Sequence, residues 1–225
     1  MKRRIPLIVI VVLLAVLLYP ITAISQEVFT RDAIITGGGV ITEGSGADIK
    51  KITFGVNLLL RYYVNEAGEF VNEEGTPTVN GELVFAESPK GNLQFNFHNT
   101  GNGELDKGKF SSTAIQAAAI RPSSHVDTEG EFRFLFVNIN ADGKFNGEDG
   151  WSMVIRLSDY GAPGIVKKTN PANRTDAIRI TLYDSPYPTG GQPAVYDTAS
   201  VDEYPHEDAW RTILDGGNMT VYYQK

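Results

Sequence analysis

Leu93-Gln94-Phe95-Asn96-Phe97-His98 alternates large apolar side chains with polar ones through three periods. In an extended chain successive side chains point to opposite faces, so Leu93, Phe95 and Phe97 share one side and Gln94, Asn96 and His98 the other. The same period recurs further on. Phe132, Phe134 and Phe136 alternate with Arg133 and Leu135; Met153, Ile155 and Leu157 with Val154 and Arg156; Ile178, Ile180 and Leu182 with Arg179 and Thr181. Further strands are expected at Ile52 to Val64, Val79 to Ala86, Lys109 to Ala117 and Asn218 to Tyr223, with Gly, Asn, Asp and Pro in the connections. The chain therefore reads as all-β. A sheet with one apolar face has to bury it, and the expected solution is an antiparallel β-sandwich or a jelly-roll-like arrangement.

A few stretches resist that period. Asp202 to Leu214 is expected to form a short helix or decorated loop, with Gly216-Gly217 as its stop. Glu66 to Pro77 and Gly164 to Thr175 are polar and punctuated by Gly and Pro, as surface excursions are.

At the N-terminus Lys2, Arg3 and Arg4 precede an apolar run from Ile5 to Leu18, then Pro20 and the small residues Ala23 and Ser25. This order is that of a signal peptide, with cleavage expected after Ser25. An uncleaved membrane anchor is the alternative, because apolar character continues to Ile24. Either way the remainder is expected outside the cytoplasmic membrane, secreted or at the cell surface. The organisation is then a signal peptide over 1–25, a strand segment over 26–36, and one β-domain over 37–225 with loop insertions at about 64–78, 138–149 and 185–215.

The chain has no cysteine, so its stability is expected from packing or a bound ion and not from disulfides. Twenty Lys and Arg stand against 27 Asp and Glu, a net charge of −7 that becomes more acidic without Lys2, Arg3 and Arg4. No basic stripe suited to a phosphate backbone is legible, so nucleic acid is not an expected partner. An acidic surface suits divalent cations.

Several phrases stand in a fixed order: Gly37-Gly38-Gly39-Val40-Ile41, Thr53-Phe54-Gly55-Val56-Asn57, and Pro89-Lys90-Gly91-Asn92-Leu93-Gln94-Phe95 with His98 close behind. Downstream come Trp151 to Gly164, ending in Asp159-Tyr160-Gly161-Ala162-Pro163-Gly164, then Thr175 to Ile180 and Gly216-Gly217-Asn218-Met219. Together these blocks resemble the post-COAP domain family. The resemblance implies a secreted or surface prokaryotic β-domain, often attached to other modules, and implies no particular activity. The chain departs from the family at Phe97, where Asp tends to precede the His, and in its three insertions.

Asn138-Ile139-Asn140-Ala141-Asp142-Gly143-Lys144-Phe145-Asn146-Gly147-Glu148-Asp149 has the spacing of a calcium loop. Asn138, Asn140, Asp142, Asn146 and Asp149 would supply oxygen ligands, and Gly143 the sharp turn. With Asn at the first position and the shorter Asp at the last, binding on the order of 10⁻⁴ to 10⁻³ M is expected. The alternative is a plain hairpin, since turns use the same residue types.

His98, His125 and His206 lie in separate segments without a partner at metal-ligand or triad spacing, and there is no G-x-S-x-G elbow. No catalytic constellation is read, and the protein is not expected to be an enzyme; a carbohydrate-active enzyme with paired carboxylates depends on a separation that spacing does not address. Tyr183, Tyr187, Tyr196, Tyr204 and Trp210 could stack on sugar rings or anchor loops in the core. Asn173-Arg174-Thr175 and Asn218-Met219-Thr220 are glycosylation sequons. Two function classes follow. One is a non-catalytic binding or accessory module that holds a glycan, an envelope protein or calcium. The other is a subunit of an extracellular homopolymer that donates Glu27 to Ile35 to a neighbour's sheet edge.

Overall fold

The computed structural model describes residues 27–43, 50–98, 107–127, 130–159, 176–187, 191–198, 212–213 and 216–223. The expected signal peptide and the excursion over 164–175 lie outside the described residues, as does the helix candidate Asp202 to Leu214 except for Thr212–Ile213, which is corrected to a short strand paired with Ile178 and Ala177. Among the described residues no helix is long and apolar enough to cross a membrane.

The chain is all-β. Its strands are β1 (Val28–Glu43), β2 (Lys50–Asn65), β3 (Glu82–Leu83), β4 (Lys90–His98), β5 (Lys107–Asp127), β6 (Gly130–Phe145), β7 (Glu148–Asp159), β8 (Ala177–Tyr183), β9 (Tyr196–Asp197), β10 (Thr212–Ile213) and β11 (Gly216–Tyr223). All pair antiparallel in one sheet of order β10-β8-β7-β6-β5-β4-β2-β1-β11, with β3 on β5 and β9 on β8. The expected pair of stacked sheets is thus corrected to one continuous sheet, curled into a half-barrel whose concave face is the core. Period-two alternation says that one face is buried; it does not say whether a second sheet or the same sheet covers it. Length favours the curl here. β5 runs for 21 residues and β1, β2 and β6 for 16 each. Bulges in β5 at Ser112/Ala114 and Ile115/Ala117 add local twist.

The concave face carries Ile35, Ile52, Leu58, Leu60, Leu93, Phe95, Phe97, Phe110, Val137, Ile139, Ile155, Ile180 and Val221 in one buried cluster. Phe54 stacks on Phe95 at 5.4 Å, and Phe97 meets Phe145 and Tyr196 edge-on at 5.7 and 5.4 Å. Room for these rings comes from glycine. A Cβ on Gly108 would strike the Phe145 ring, and one on Gly143 the Phe110 ring.

Two local expectations are also corrected. On β6 the core side is Leu135, Val137, Ile139 and Ala141, whereas Phe134 packs with Ala177 and Phe136 in a separate cluster on the convex face. Phe134 to Val137 are apolar without interruption, so alternation there selects no face. The segment 66–77 is not only surface. It folds back through the Val64↔Phe70 and Val71↔Pro77 bridges, buries Val71, and sets Phe70 edge-on to Tyr62 at 5.3 Å.

The curl is fastened by side chains. Met219 N–H donates to Asp176 Oδ2 at 2.8 Å and Val221 N–H to Asp159 Oδ2 at 2.9 Å. Both aspartates are buried, one at the end of β7 and one just before β8, so the edge of β11 that faces away from β1 is held across the curl. Asp159→Ala leaves the buried Val221 N–H without its acceptor and is expected to lower stability by about 1–3 kcal/mol. Urea denaturation measures the loss, and faster amide exchange at Met219 and Val221 than at Ile155 would localise it to the closure; an unchanged midpoint would show that the curl does not depend on this contact.

Candidate functional site

The convex face of β11, β1, β2, β4 and β5 presents its polar side chains in register rows. One row is Asn218, Gly38, Gly55, Gln94 and Ser111. It is flanked by Thr220, Thr36, Asn57 and Asn92 on one side and by Val40, Thr53, Asn96 and Lys109 on the other. Because the middle row has glycines on β1 and β2, it is a trench between two walls. Its volume is about 380 Å³, and Thr53, Gly55, Asn57, Asn92, Gln94 and Asn96 are among the residues that line it. Rows on one face lie roughly 6.6 Å apart along the strands and strands roughly 4.8 Å apart across them, so the lined groove spans roughly 10 Å across β1, β2 and β4, and the same row continues onto β11 and β5.

The lining is amide-rich. Asn96 Nδ2 donates to Thr53 Oγ1 at 3.5 Å, and Thr53 Oγ1 lies 3.4 Å from His98 Nε2. Among the described residues Asn57, Asn92 and Gln94 make no side-chain hydrogen bond, so their donors and acceptors face the trench and solvent. An amide offers two donors and an acceptor without charge, which matches hydroxyl groups. Beside the trench lies an apolar row of Tyr222, Ile34 and Leu59, in which Ile34 and Tyr222 are 43% and 52% exposed. An exposed tyrosine next to amides supplies both a stacking face and hydrogen bonds.

Gly55 stands apart from the neighbouring glycines. A Cβ on Gly38 would lie 2.7 Å from the Phe54 carbonyl oxygen, so close strand packing accounts for that glycine. A Cβ on Gly55 would meet nothing within 4 Å, and its φ lies outside the left-handed region. Glycine inside a strand weakens it, and commonly marks a bulge or a place where another chain or a ligand comes close.

The residues singled out from sequence fall elsewhere. Asn138 to Asp149 form the β6–β7 hairpin, turned by Asn146 and Gly147 at φ 52° and 90°. Asn138, Asn140 and Asp142 sit on extended β6, and the eight residue-to-residue steps from Asn138 to Asn146 span roughly 26 Å. The structure does not bring the five candidate ligands to one point. Asp142 instead accepts from Tyr187 N–H at 2.7 Å and Gln116 Nε2 at 2.6 Å, Asn146 Oδ1 accepts from Lys109 N–H, and Asp149 pairs with Lys144. Among the described residues no group of three or more His, Asp or Glu is placed to hold a metal. Tyr196 is a core residue, and Tyr183 and Tyr187 are half-buried; Tyr204, Trp210, His206 and Asn173 lie outside the described residues. His98 is exposed on β4 and His125 lies in β5. Asn218 is exposed at the β11 end of the trench and donates to Thr220 Oγ1 at 3.2 Å. The segment Val28 to Ile35 lies in its own sheet, paired with β2 throughout and with β11 from Ala33.

A second polar cluster lies on the convex face of β6–β8. Arg179 makes a bidentate pair with Asp197 at 2.9 and 2.6 Å, which pins β9 to β8 and raises the guanidinium above its ordinary value. Arg156, directly across from Arg179 and Asn138, is lowered by burial and by the neighbouring Arg179. At the far end of the trench face Asp32 accepts from Arg61 at 2.8 and 3.0 Å, and these bonds hold its carboxyl below the usual carboxylate value. Both pairs join neighbouring strands.

No protein-family model, curated protein or solved structure matches the chain. The resemblance to post-COAP domains rests on the sequence blocks alone.

The hairpin predicts that chelator leaves the melting temperature where excess calcium has it. Asp142→Ala is expected to cost about 1–3 kcal/mol by unhooking Tyr187 and Gln116, equally in both conditions. A melting temperature that rises with calcium in the parent and not in Asp142→Ala would restore an ion to this segment.

Proposed function

We propose that this chain is a non-catalytic binding module, secreted or held at the cell surface, and that a hydroxyl-rich chain, a glycan, lies across β11, β1, β2 and β4 in the amide trench. The observation that carries the reading is Gly55, a central-strand glycine that neither backbone conformation nor packing requires and that keeps the trench floor open. The neutral donor and acceptor lining supports a polyol ligand, and Tyr222 adds an exposed ring beside it. The trench lining contains amides and the Thr53 hydroxyl, which lies 3.4 Å from His98 Nε2, and holds no carboxylate pair. Such a lining suits holding a chain.

Because space is open at Gly55, Gly55→Val fills the trench while leaving the sheet intact. The variant is expected to melt at the parent temperature or slightly above, since valine favours strands. Its affinity for soluble polysaccharides, measured by affinity electrophoresis and calorimetry, is expected to fall by about tenfold or more, as when hydrogen-bonded contacts are blocked. Undiminished binding in Gly55→Val, or no binding of any polysaccharide by the parent, would overturn the proposal.

A further inference from the structure

The face that holds the trench is electrically lopsided. At one end its cations are neutralised: Arg61 pairs with Asp32 at 2.8 Å and with Glu87 at 3.3 Å, and Lys90 also pairs with Glu87 at 3.3 Å. At the other end Lys51, His98 and Lys107 stand side by side on β2, β4 and β5 in one register row. Lys109 stands one row nearer the trench, directly across from Asn96. All four side chains are exposed, and among the described residues none has an ion pair. Like charges opposite each other on adjacent strands are unfavourable. On a chain of net charge −7 this strip is, among the described residues, a local reversal of sign, and Lys109 is the register partner of Asn96, which lines the groove.

We infer that the ligand of the trench is an anionic polysaccharide, whose acidic groups meet Lys51, Lys107 and Lys109 while its hydroxyls meet the amides. The inference rests on the trench reading above and deepens it. A chain lying across the strands from Asn218 towards Ser111 passes within one row of Lys109 and within two of the Lys51-His98-Lys107 row. Rows are roughly 6.6 Å apart, which lysine side chains can bridge. Charge-assisted hydrogen bonds from ammonium to carboxylate or sulfate are stronger than neutral ones, so charge selects the polymer and the amides set its course. Carboxylate and sulfate polymers share this chemistry and are separated by the test.

The probes are polygalacturonate, its methyl-esterified form, dextran sulfate and a single-stranded oligonucleotide, each titrated into the full secreted chain at two salt concentrations. Polygalacturonate or dextran sulfate is expected to bind about tenfold or more tighter than the esterified polymer, and less tightly at higher salt. The one of the two that binds tighter identifies the acidic group. The triple variant Lys51→Gln/Lys107→Gln/Lys109→Gln, exposed at all three positions, is expected to keep its melting temperature and lose the preference for acid. Gly55→Val is expected to lose both acidic and neutral polymers. Equal binding of acidic and esterified polymer, unaffected by the triple variant, would overturn the inference and leave a neutral-glycan trench. Acid binding that survives Gly55→Val, or an oligonucleotide that binds as well as the polysaccharides, would overturn it as well by showing a strip that attracts any polyanion without the trench. If no polymer binds, both readings fail together.

Discussion

Two backbone donors on the outer edge of β11, the N–H groups of Met219 and Val221, would otherwise lie buried without acceptors, and the carboxyl oxygens of Asp176 and Asp159 supply them. A buried unpaired N–H costs about 1–3 kcal/mol, so the placement of these two side chains bears on whether the sheet can stay curled. A ladder could have closed the sheet by adding strand to strand. Here two single contacts at the junction of β7 and β8 hold the last strand against the far side, and the concave face is shut without a second sheet.

Closure in turn explains the interior. A curled sheet has to fill its own concavity, so aromatic rings concentrate where strands cross the middle of the core, and glycines appear under them. Gly108 and Gly143 are positions at which any side chain would displace Phe145 or Phe110. The folded-back segment 66–77 packs Phe70 against the same interior. Short elements such as β3 and β9 contribute Leu83 and Tyr196 in the same manner. Large buried rings in specific edge-on contacts favour one arrangement over looser alternatives, because the geometry of each pair limits the others.

With the core committed to one face, the convex face carries the polar rows that the proposed binding would use. The trench depends on register: Gly38, Gly55 and Gln94 lie in one row only because β1, β2 and β4 pair as they do, and a slip of one residue would turn Gly55 inward and Phe54 outward. The same register lines up Lys51, His98 and Lys107. Curvature opens the convex face slightly and keeps these rows accessible, while the paired charges of Arg61 and Arg179 tie adjacent strands without adding unmatched charge.

Much of this was legible locally. Alternation at Leu93 to His98 identified a strand, its buried face and its exposed histidine, because side-chain direction in an extended chain depends on nothing beyond the chain itself. The amides Asn57, Asn92, Gln94 and Asn96 and the mid-strand Gly55 were visible as well. Asparagine is depleted in strands, so several at outward positions set this face apart from an ordinary strand surface. The spacing from Asn138 to Asp149 could be read as a loop or a hairpin, and residue type alone could not choose between them, since both use Asn, Asp and Gly. What only the tertiary structure decided is long-range: one curled sheet where two stacked ones were expected, the rows that make a trench, and carboxylates bonded to backbone 43 and 62 residues away. Period sets which way a side chain points; register and closure set what it meets, and those are fixed by hydrogen bonds between residues far apart in the chain.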